Sequence, residues 1–264
     1  SKGHKFQTNS DTETIVHAYE EYGLDFVNYL RGMFAIAIWD ERKKQTILIR
    51  DRLGVKPLYY HIHNNKLLFA SELKALLEYD KINPTINHNA ISDYLTYLNI
   101  PAPETIFNEI KKLRPAEMLI FNSDGNFTTK TYWRVKFQKN NLQENDYAKQ
   151  LHDLVEESID LRMVSDVPVG ILLSSGLDSS IVSTMAAKKA KDELNTYTVG
   201  FEDKIDNAYD ELEESKEMAE ILGTNHHEIV VNSNDAFRLL DKVTLSLDEP
   251  FGNPTTTLNY IISE

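Results

Sequence analysis

The chain has no cysteine. That excludes a disulfide framework, a thiolate metal site and a cysteine nucleophile within these residues. It is also short of positive charge, with 28 lysines and arginines against 41 aspartates and glutamates and a net charge of −13. The acidic excess runs along the chain rather than sitting in a tail. Bulk charge therefore offers nothing to a nucleic-acid backbone, and an acidic enzyme of small molecules fits the balance better. There is no long apolar run and no basic, signal-like start, so a soluble cytoplasmic protein without a membrane partner is expected. The eight histidines do not fall at a metal-ligand spacing. The adjacent pair His226-His227 leads into Glu228-Ile229-Val230-Val231 and reads as structural rather than as a zinc ligand set.

What is present is 41% hydrophobic content over 264 residues, enough for one large core or two ordinary ones, and the length favours two domains. The first part reads as sheet-rich. Ile15, Val16, Ala18 and Tyr19 lie at helical spacing, so Thr12 to Tyr22 is expected as a helix capped by Ser10 or Asp11. Residues 33–39 and 46–50 read as a hairpin with one wholly buried strand, and 59–62 with 67–70 as a second hairpin. Between them the charged run Arg50-Asp51-Arg52 to Lys56 is expected to be a self-neutralised ion-pair cluster, with Arg52 and Lys56 as candidates for a domain contact. A short helix over 87–97 stops before Pro101. Further on, strands 118–121 and 132–135 are expected to meet at the turn 122–126. The polar run Gln138 to Asn145 is the best linker, which divides the chain into 1–140 and 141–264.

Beyond the linker the pattern becomes α-β-α-β-α-β: a helix over 147–163, a strand over 169–173, a helix over 179–190, a strand over 196–201, a helix over 209–222 and a strand over 228–231. This order predicts a parallel sheet covered on both sides by helices. Ligands of such sheets settle beyond the carboxyl ends of the strands. The apolar strand 169–173 breaks there into Ser174-Ser175-Gly176-Leu177-Asp178-Ser179-Ser180. A strand, a tight loop and a helix start gather unpaired N–H groups and hydroxyls at one spot, which is the means of holding a phosphate or pyrophosphate. No Gly-Lys-Ser/Thr follows, and the loop is not a Gly-x-Gly-x-x-Gly turn. Asp178 stands in place of the expected cation. A carboxylate beside phosphates makes electrostatic sense with a divalent ion between them, so the loop implies Mg²⁺ and a nucleoside triphosphate. The plainer alternative is that Asp178 simply caps helix 179–190. Val199-Gly200, taken to follow the next strand, should face the same crevice, with Val199 bounding a base.

The run Leu173 to Ser179 resembles the pyrophosphate loop of the N-type ATP pyrophosphatases. With its flanks Val167-Pro168-Val169-Gly170 and Ser180, it resembles the glutamine-hydrolysing asparagine synthetases. Phe6 to Glu13, Arg31-Gly32-Met33-Phe34-Ala35, Arg50 to Tyr60 and Phe69 to Ala75 are similar to the class II glutamine amidotransferase half of that family, so nearly the whole chain is covered. The resemblance implies an α/β and α+β chain: the C-terminal part of an Ntn-type amidotransferase sandwich, then the first half of a parallel-sheet, adenine-nucleotide α-hydrolase-like domain. It implies two coupled reactions, with glutamine hydrolysed to release ammonia and aspartate activated by ATP as an acyl-adenylate that ammonia converts to asparagine. A related enzyme acting on another carboxylate and a non-catalytic nucleotide-binding relative are the alternatives.

Carried over by resemblance, Asp11 holds the α-amino group of glutamine. Leu172 and Val199 lie beside adenine. Ser174, Gly176, Asp178, Ser179 and Ser180 surround the phosphates, and Asp178 meets Mg²⁺. The implied partners are glutamine, aspartate, ATP and a second copy of the chain in a homodimer. Ser175 stands where the usual family loop has glycine, which strains the backbone only if φ there is positive. No residue matches the family's catalytic cysteine, its glutamine-carboxylate arginine, its Asn-Gly oxyanion pair, its second metal loop or its later lysine. These residues are expected to be the central portion of a longer chain, with no catalytic residue of their own and no glutamine hydrolysis in isolation. The run Leu247-Asp248-Glu249-Pro250-Phe251-Gly252-Asn253-Pro254 resembles the family's approach to the acceptor site.

Overall fold

Strand β2 explains the first part of the fold. In a computed structural model that describes residues 3–139, 141–190, 193–201, 211–253 and 255–263, the chain divides into two units. One comprises 1–137 with 248–252 and the other 138–247 with 253–264. The first unit opens with helix α1 (Asp11–Tyr22), whose N-cap Ser10 accepts a hydrogen bond from the Thr12 amide, followed by a 3₁₀ segment, Gly23–Tyr29. Strands β1 (Ala35–Asp40) and β2 (Gln45–Arg50) form the expected hairpin. Strands β3 (Tyr59–His63) and β4 (Lys66–Ala70) form the second, followed by α2 (Leu73–Leu77) and α3 (His88–Tyr97). The unit continues through β5 (Lys111–Lys112), β6 (Glu117–Asn122) and β7 (Phe127–Thr131).

Two antiparallel sheets result, with strand orders β1-β2-β6-β7 and β4-β3-β5. Side chains alternate across β2, so Ile47 and Ile49 pack with Phe26, Val27, Ile36 and Met118, and with Ile15 and Tyr19 of α1, on one face. Leu48 points the other way and packs with Leu58, Leu113, Leu119 and Phe121. Tyr59, Leu73, Leu76, Ile82 and Ile110 form a further cluster between β3 and α2. The layers are thus helix, sheet, sheet, helix. A strand between two packed faces needs a continuous apolar run, which is why Ile47-Leu48-Ile49 does not alternate.

Two expectations for this unit are corrected. The strand returning from the Asp124-Gly125 turn is β7, residues 127–131, and not 132–135. The turn is tight enough to restart pairing at once, with Asn122 N–H bonded to Asn126 O. Tyr132 lies past the strand and donates its hydroxyl to Arg50 O at 2.6 Å. The run 50–56 is not an ion-pair cluster either. Arg50 donates to the carbonyls of Lys56, Gly54 and Leu113, Arg52 to those of Leu30 and Asn28, and Asp51 accepts from the amides of Leu53, Val55 and Lys56. Backbone groups rather than opposite charges satisfy this loop. Residues Asp248 to Gly252 also belong to this unit. Asp248 accepts from Leu73 N–H and Lys74, Glu249 accepts from Ile106 N–H and Lys112, and Gly252 N–H donates to Leu98 O.

The second unit contains α4 (Glu144–Arg162), β8 (Gly170–Leu172), α5 (Leu177–Lys189), β9 (Asn195–Phe201), α6 (Leu212–Leu222) and β10 (Asn225–Val231). Then come α7 (Ser233–Arg238), α8 (Leu240–Leu247) and α9 (Thr255–Ser263). Its sheet has the order β10-β9-β8, all parallel. Residues 209 and 210, the expected start of α6, lie outside the described residues, as do Asn140 of the linker and Pro254. Helix α4 buries Ile159 against Ala186 of α5 and Leu194, with Val155 beside them. Leu151, Leu154 and Leu161 of the same helix are exposed. Gly200 of β9 lies against Leu212 of α6 so closely that an added Cβ would come within 2.3 Å of it. Helix α6 therefore covers the sheet face to which Thr196, Thr198 and Gly200 point. No helix among the described residues is long and apolar enough to cross a membrane.

Candidate functional site

The loop between β8 and α5 is built by its own hydroxyls. Ser174 and Ser179 place their Oγ atoms 2.7 Å apart. Ser179 Oγ also lies 2.9 Å from the carbonyl oxygens of both Ser174 and Gly176, which share its one proton, and Ser180 Oγ donates to Gly176 O at 2.9 Å. Gly176 N–H returns to Ser174 Oγ at 3.3 Å. The loop is fixed at its root as well, since Leu173 N–H donates to Tyr197 O and Thr198 Oγ1 donates to Leu173 O at 2.7 Å.

Helix α5 begins at Leu177, two residues before the sequence expectation, with Gly176 as N-cap at φ −65°, ψ 148°. Asp178 is thus not the cap, which corrects the plainer reading. It lies exposed in the first helical turn, where the helix dipole favours a negative group. Ser175 does not have positive φ, so serine sits there without backbone strain. Gly176 does not need its conformational freedom, but a Cβ there would sit 3.3 Å from Ser174 Oγ, inside the space the hydroxyls enclose.

Leu172 pairs with Tyr197, and Val199 lies two residues farther along β9. Pleating puts Leu172, Tyr197 and Val199 on one sheet face, opposite the one that α6 covers. Val199 therefore lies within β9 and not after it, because pairing with β10 extends that strand to Phe201. Leu172 is exposed and Val199 half-buried, so an apolar surface is open beside the loop.

Glu211 was not visible as a site residue. Its Oε2 accepts the Ser175 N–H at 3.0 Å across 36 positions. A carboxylate here accepts one of the loop amides, a group of the kind that binds anions at a helix start. No local pattern marks it, because the contact depends on how the two strand-helix connections meet. A separate concavity of about 760 Å³ is lined by Met163 to Val169, Lys189 and Asn195. It lies at the amino ends of β8 and β9. Ligands of parallel sheets bind at the carboxyl ends, opposite the end where this concavity lies.

In the first unit, Asp11 is exposed in the first turn of α1. The segment before it is braced by Glu13, which accepts from the amides of Gln7 and Thr8 at 2.7 Å each and from the Thr8 hydroxyl. The Thr8 hydroxyl and then the Gln7 amide hold the Glu13 carboxyl down at about 2, against an ordinary 4.5. Asp11 and the β8–α5 residues belong to different units. Ser174, Gly176, Ser179 and Ser180 are brought together in the second, with Asp178 beside them.

Comparison with known proteins matches both parts of the chain to families. Residues 1–133 match the glutamine amidotransferase domain family, and residues 150–264 match asparagine synthase. Glutamine-hydrolysing asparagine synthetase 1 of Bacillus subtilis is 33% identical over 264 residues, covering 100% of this chain and 41% of the relative. Glutamine-hydrolysing asparagine synthetase 3 of the same organism is 36% identical over 262 residues, covering 95% of this chain and 42% of the relative. The chain belongs to the glutamine-hydrolysing asparagine synthetase family. It spans about two fifths of the length of these two relatives. A solved glutamine phosphoribosylpyrophosphate amidotransferase from B. subtilis, complexed with ADP and GMP, superposes with a TM-score of only 0.35 at 18% identity, over 86% of this chain and 40% of that one.

Proposed function

We propose that this chain is part of an enzyme that makes asparagine from aspartate, ATP and glutamine, giving AMP, pyrophosphate and glutamate. Residues 1–140 are the amidotransferase part with its connector, and the helix, sheet, sheet, helix layering of the first unit supports an Ntn-type sandwich. Residues 141–264 are the ATP-using part, supported by the parallel order β10-β9-β8. The observation that carries the proposal is the β8–α5 loop, where Ser174, Ser179 and Ser180 enclose Gly176 beside the exposed Asp178.

The donor set fits a Mg²⁺-bound nucleotide. Ser174, Gly176, Ser179 and Ser180 hold the phosphates, and Leu172 and Val199 flank the base. Asp178 supplies a hard oxygen ligand for Mg²⁺. When bound, the ion offsets charge that develops on the phosphates as the aspartate carboxylate is activated. For the phosphates to enter, the hydroxyls of Ser179 and Ser180 turn from the carbonyls they now bond, and Glu211 gives up the Ser175 amide. Asp11 holds the glutamine α-ammonium at the other site through a charge-assisted bond.

A second reading, in which the acceptor is another carboxylate, is kept because a relative with a name other than asparagine synthetase, Amidase chry2 from Gibberella zeae, is 32% identical over 240 residues. The deciding experiment is pyrophosphate release from ATP by the full-length protein with ammonia and either aspartate or other carboxylates. Aspartate-dependent release with asparagine formed supports the first reading. Release stimulated only by a different carboxylate moves the assignment to the second, and no release with any of them overturns both.

A further inference from the structure

Helix α1 repeats charge on one face outside both sites. Glu13, His17, Glu20 and Glu21 stand at i−4, i, i+3 and i+4, which one helical face brings together. His4, from the segment before the helix, lays its ring 4.6 Å from that of His17 at an interplanar angle of 36°. Phe6 closes the other side of His17, edge-on at 4.9 Å.

The ring nitrogens divide the carboxylates between them. His17 Nδ1 lies 3.2 Å, and His4 Nδ1 3.7 Å, from the same oxygen, Glu20 Oε2. Each opposite nitrogen faces a different carboxylate: His17 Nε2 lies 3.5 Å from Glu13 Oε1, and His4 Nε2 3.7 Å from Glu21 Oε2. His17 Nε2 is buried and makes no hydrogen bond. One ligand atom from each of His4, His17 and Glu20 lies within 4.8 Å of the others.

We propose that His4 Nδ1, His17 Nδ1 and Glu20 Oε2 form a binding site for a divalent transition metal of the zinc class. Zinc bonds of roughly 2.0–2.1 Å to imidazole and carboxylate place tetrahedral ligand atoms about 3.4 Å apart, and the two nitrogen-to-Glu20 distances bracket that spacing. Two imidazoles and one carboxylate leave a fourth position for water and suit zinc better than magnesium, which takes oxygen donors. Glu13 and Glu21 stand where carboxylates orient metal-bound histidines through their second nitrogen, fixing the tautomer in which Nδ1 is free to bind. In this arrangement the ion ties the segment carrying His4 to the helix whose first residue is Asp11. The site escapes a reading of histidine spacing because its two histidines come from different local structures.

The test is equilibrium binding of Zn²⁺, and the visible absorption of Co²⁺, to tag-free full-length protein. The expected result is saturable binding of about one ion per chain with a tetrahedral Co²⁺ spectrum. His4→Gln and Glu20→Gln each remove it, and both positions lie near the surface, so the fold survives. Glu21→Gln weakens it about 10- to 100-fold. His152→Ala, at an exposed histidine elsewhere, leaves it unchanged. Absence of saturable binding overturns the site, as does binding that persists in the His4→Gln, Glu20→Gln double variant with its melting curve unchanged.

Discussion

Asp51 and Asp178 are both aspartates at the exit from a strand, and they are held in opposite ways. Asp51 is 1% exposed and accepts three loop amides. Burial works against its charge, but the amides of Lys56, Val55 and Leu53 outweigh that and hold its carboxyl below the usual range. Asp178 stands in solvent in the first turn of α5. One carboxylate spends its bonding on its own loop, while the other keeps it available for a ligand. In sequence both sit in charged or polar breaks after apolar runs. What separates them is burial, and this makes Asp51 a structural residue and Asp178 the candidate for function.

Substitution breaks the comparison most sharply. Asp178→Ala is expected to lower ATP-dependent amidation in the full-length enzyme by about a hundredfold or more, with thermal stability changed by no more than about 0.5 kcal/mol and glutamine hydrolysis retained. Equal loss of both activities would end that division of labour. Asp51→Ala reverses the pattern. Three amides lose their acceptor inside the fold, and denaturant unfolding should show a loss of about 3 kcal/mol. A stability change near zero would mean that the loop is held by something else.

Asp11→Ala is the next smaller effect. Losing one charge-assisted bond should raise the glutamine requirement about 10- to 100-fold and leave the ammonia-driven reaction unchanged. A parallel fall in ammonia-driven turnover would remove Asp11 from the glutamine site. The smallest effect is local and acid-dependent. Because the Glu13 carboxyl is drawn down to about 2 from 4.5, its bonds to Gln7 and Thr8 contribute fully above 4.5 and are lost as pH falls through about 2. Amide shifts of Gln7 and Thr8 followed through an acid titration should report that low midpoint. A midpoint near 4.5 would show that the brace does not hold in solution.

The elements that sequence made legible are those set by neighbours in the chain. The buried run Ile47-Leu48-Ile49, the N-cap Ser10 and the break from Leu173 into Ser174 each announce themselves locally. The start of α5 was misplaced because Gly176 caps through its backbone conformation, with no side chain to signal it. Strand β7 was misplaced because Tyr132, Trp133 and Val135 look more strand-like than the exposed, threonine-rich run that pairs with β6. The Glu211 contact to Ser175, and those of Asp248 with Leu73 and Glu249 with Ile106, join residues 36, 175 and 143 positions apart. No local rule reaches that far. Of the site itself, the hydroxyls and Asp178 were legible by type, but the bonds they now make were not.

The most direct test of the account is a titration of the protein with ATP and Mg²⁺, followed at the backbone amides. The account predicts shifts centred on Leu173 to Ser180 and on Val199, lost in Asp178→Ala while the rest of the spectrum is preserved. Shifts confined to the concavity around Met163 to Val169 and Lys189, or none at Ser175 and Gly176, would contradict it.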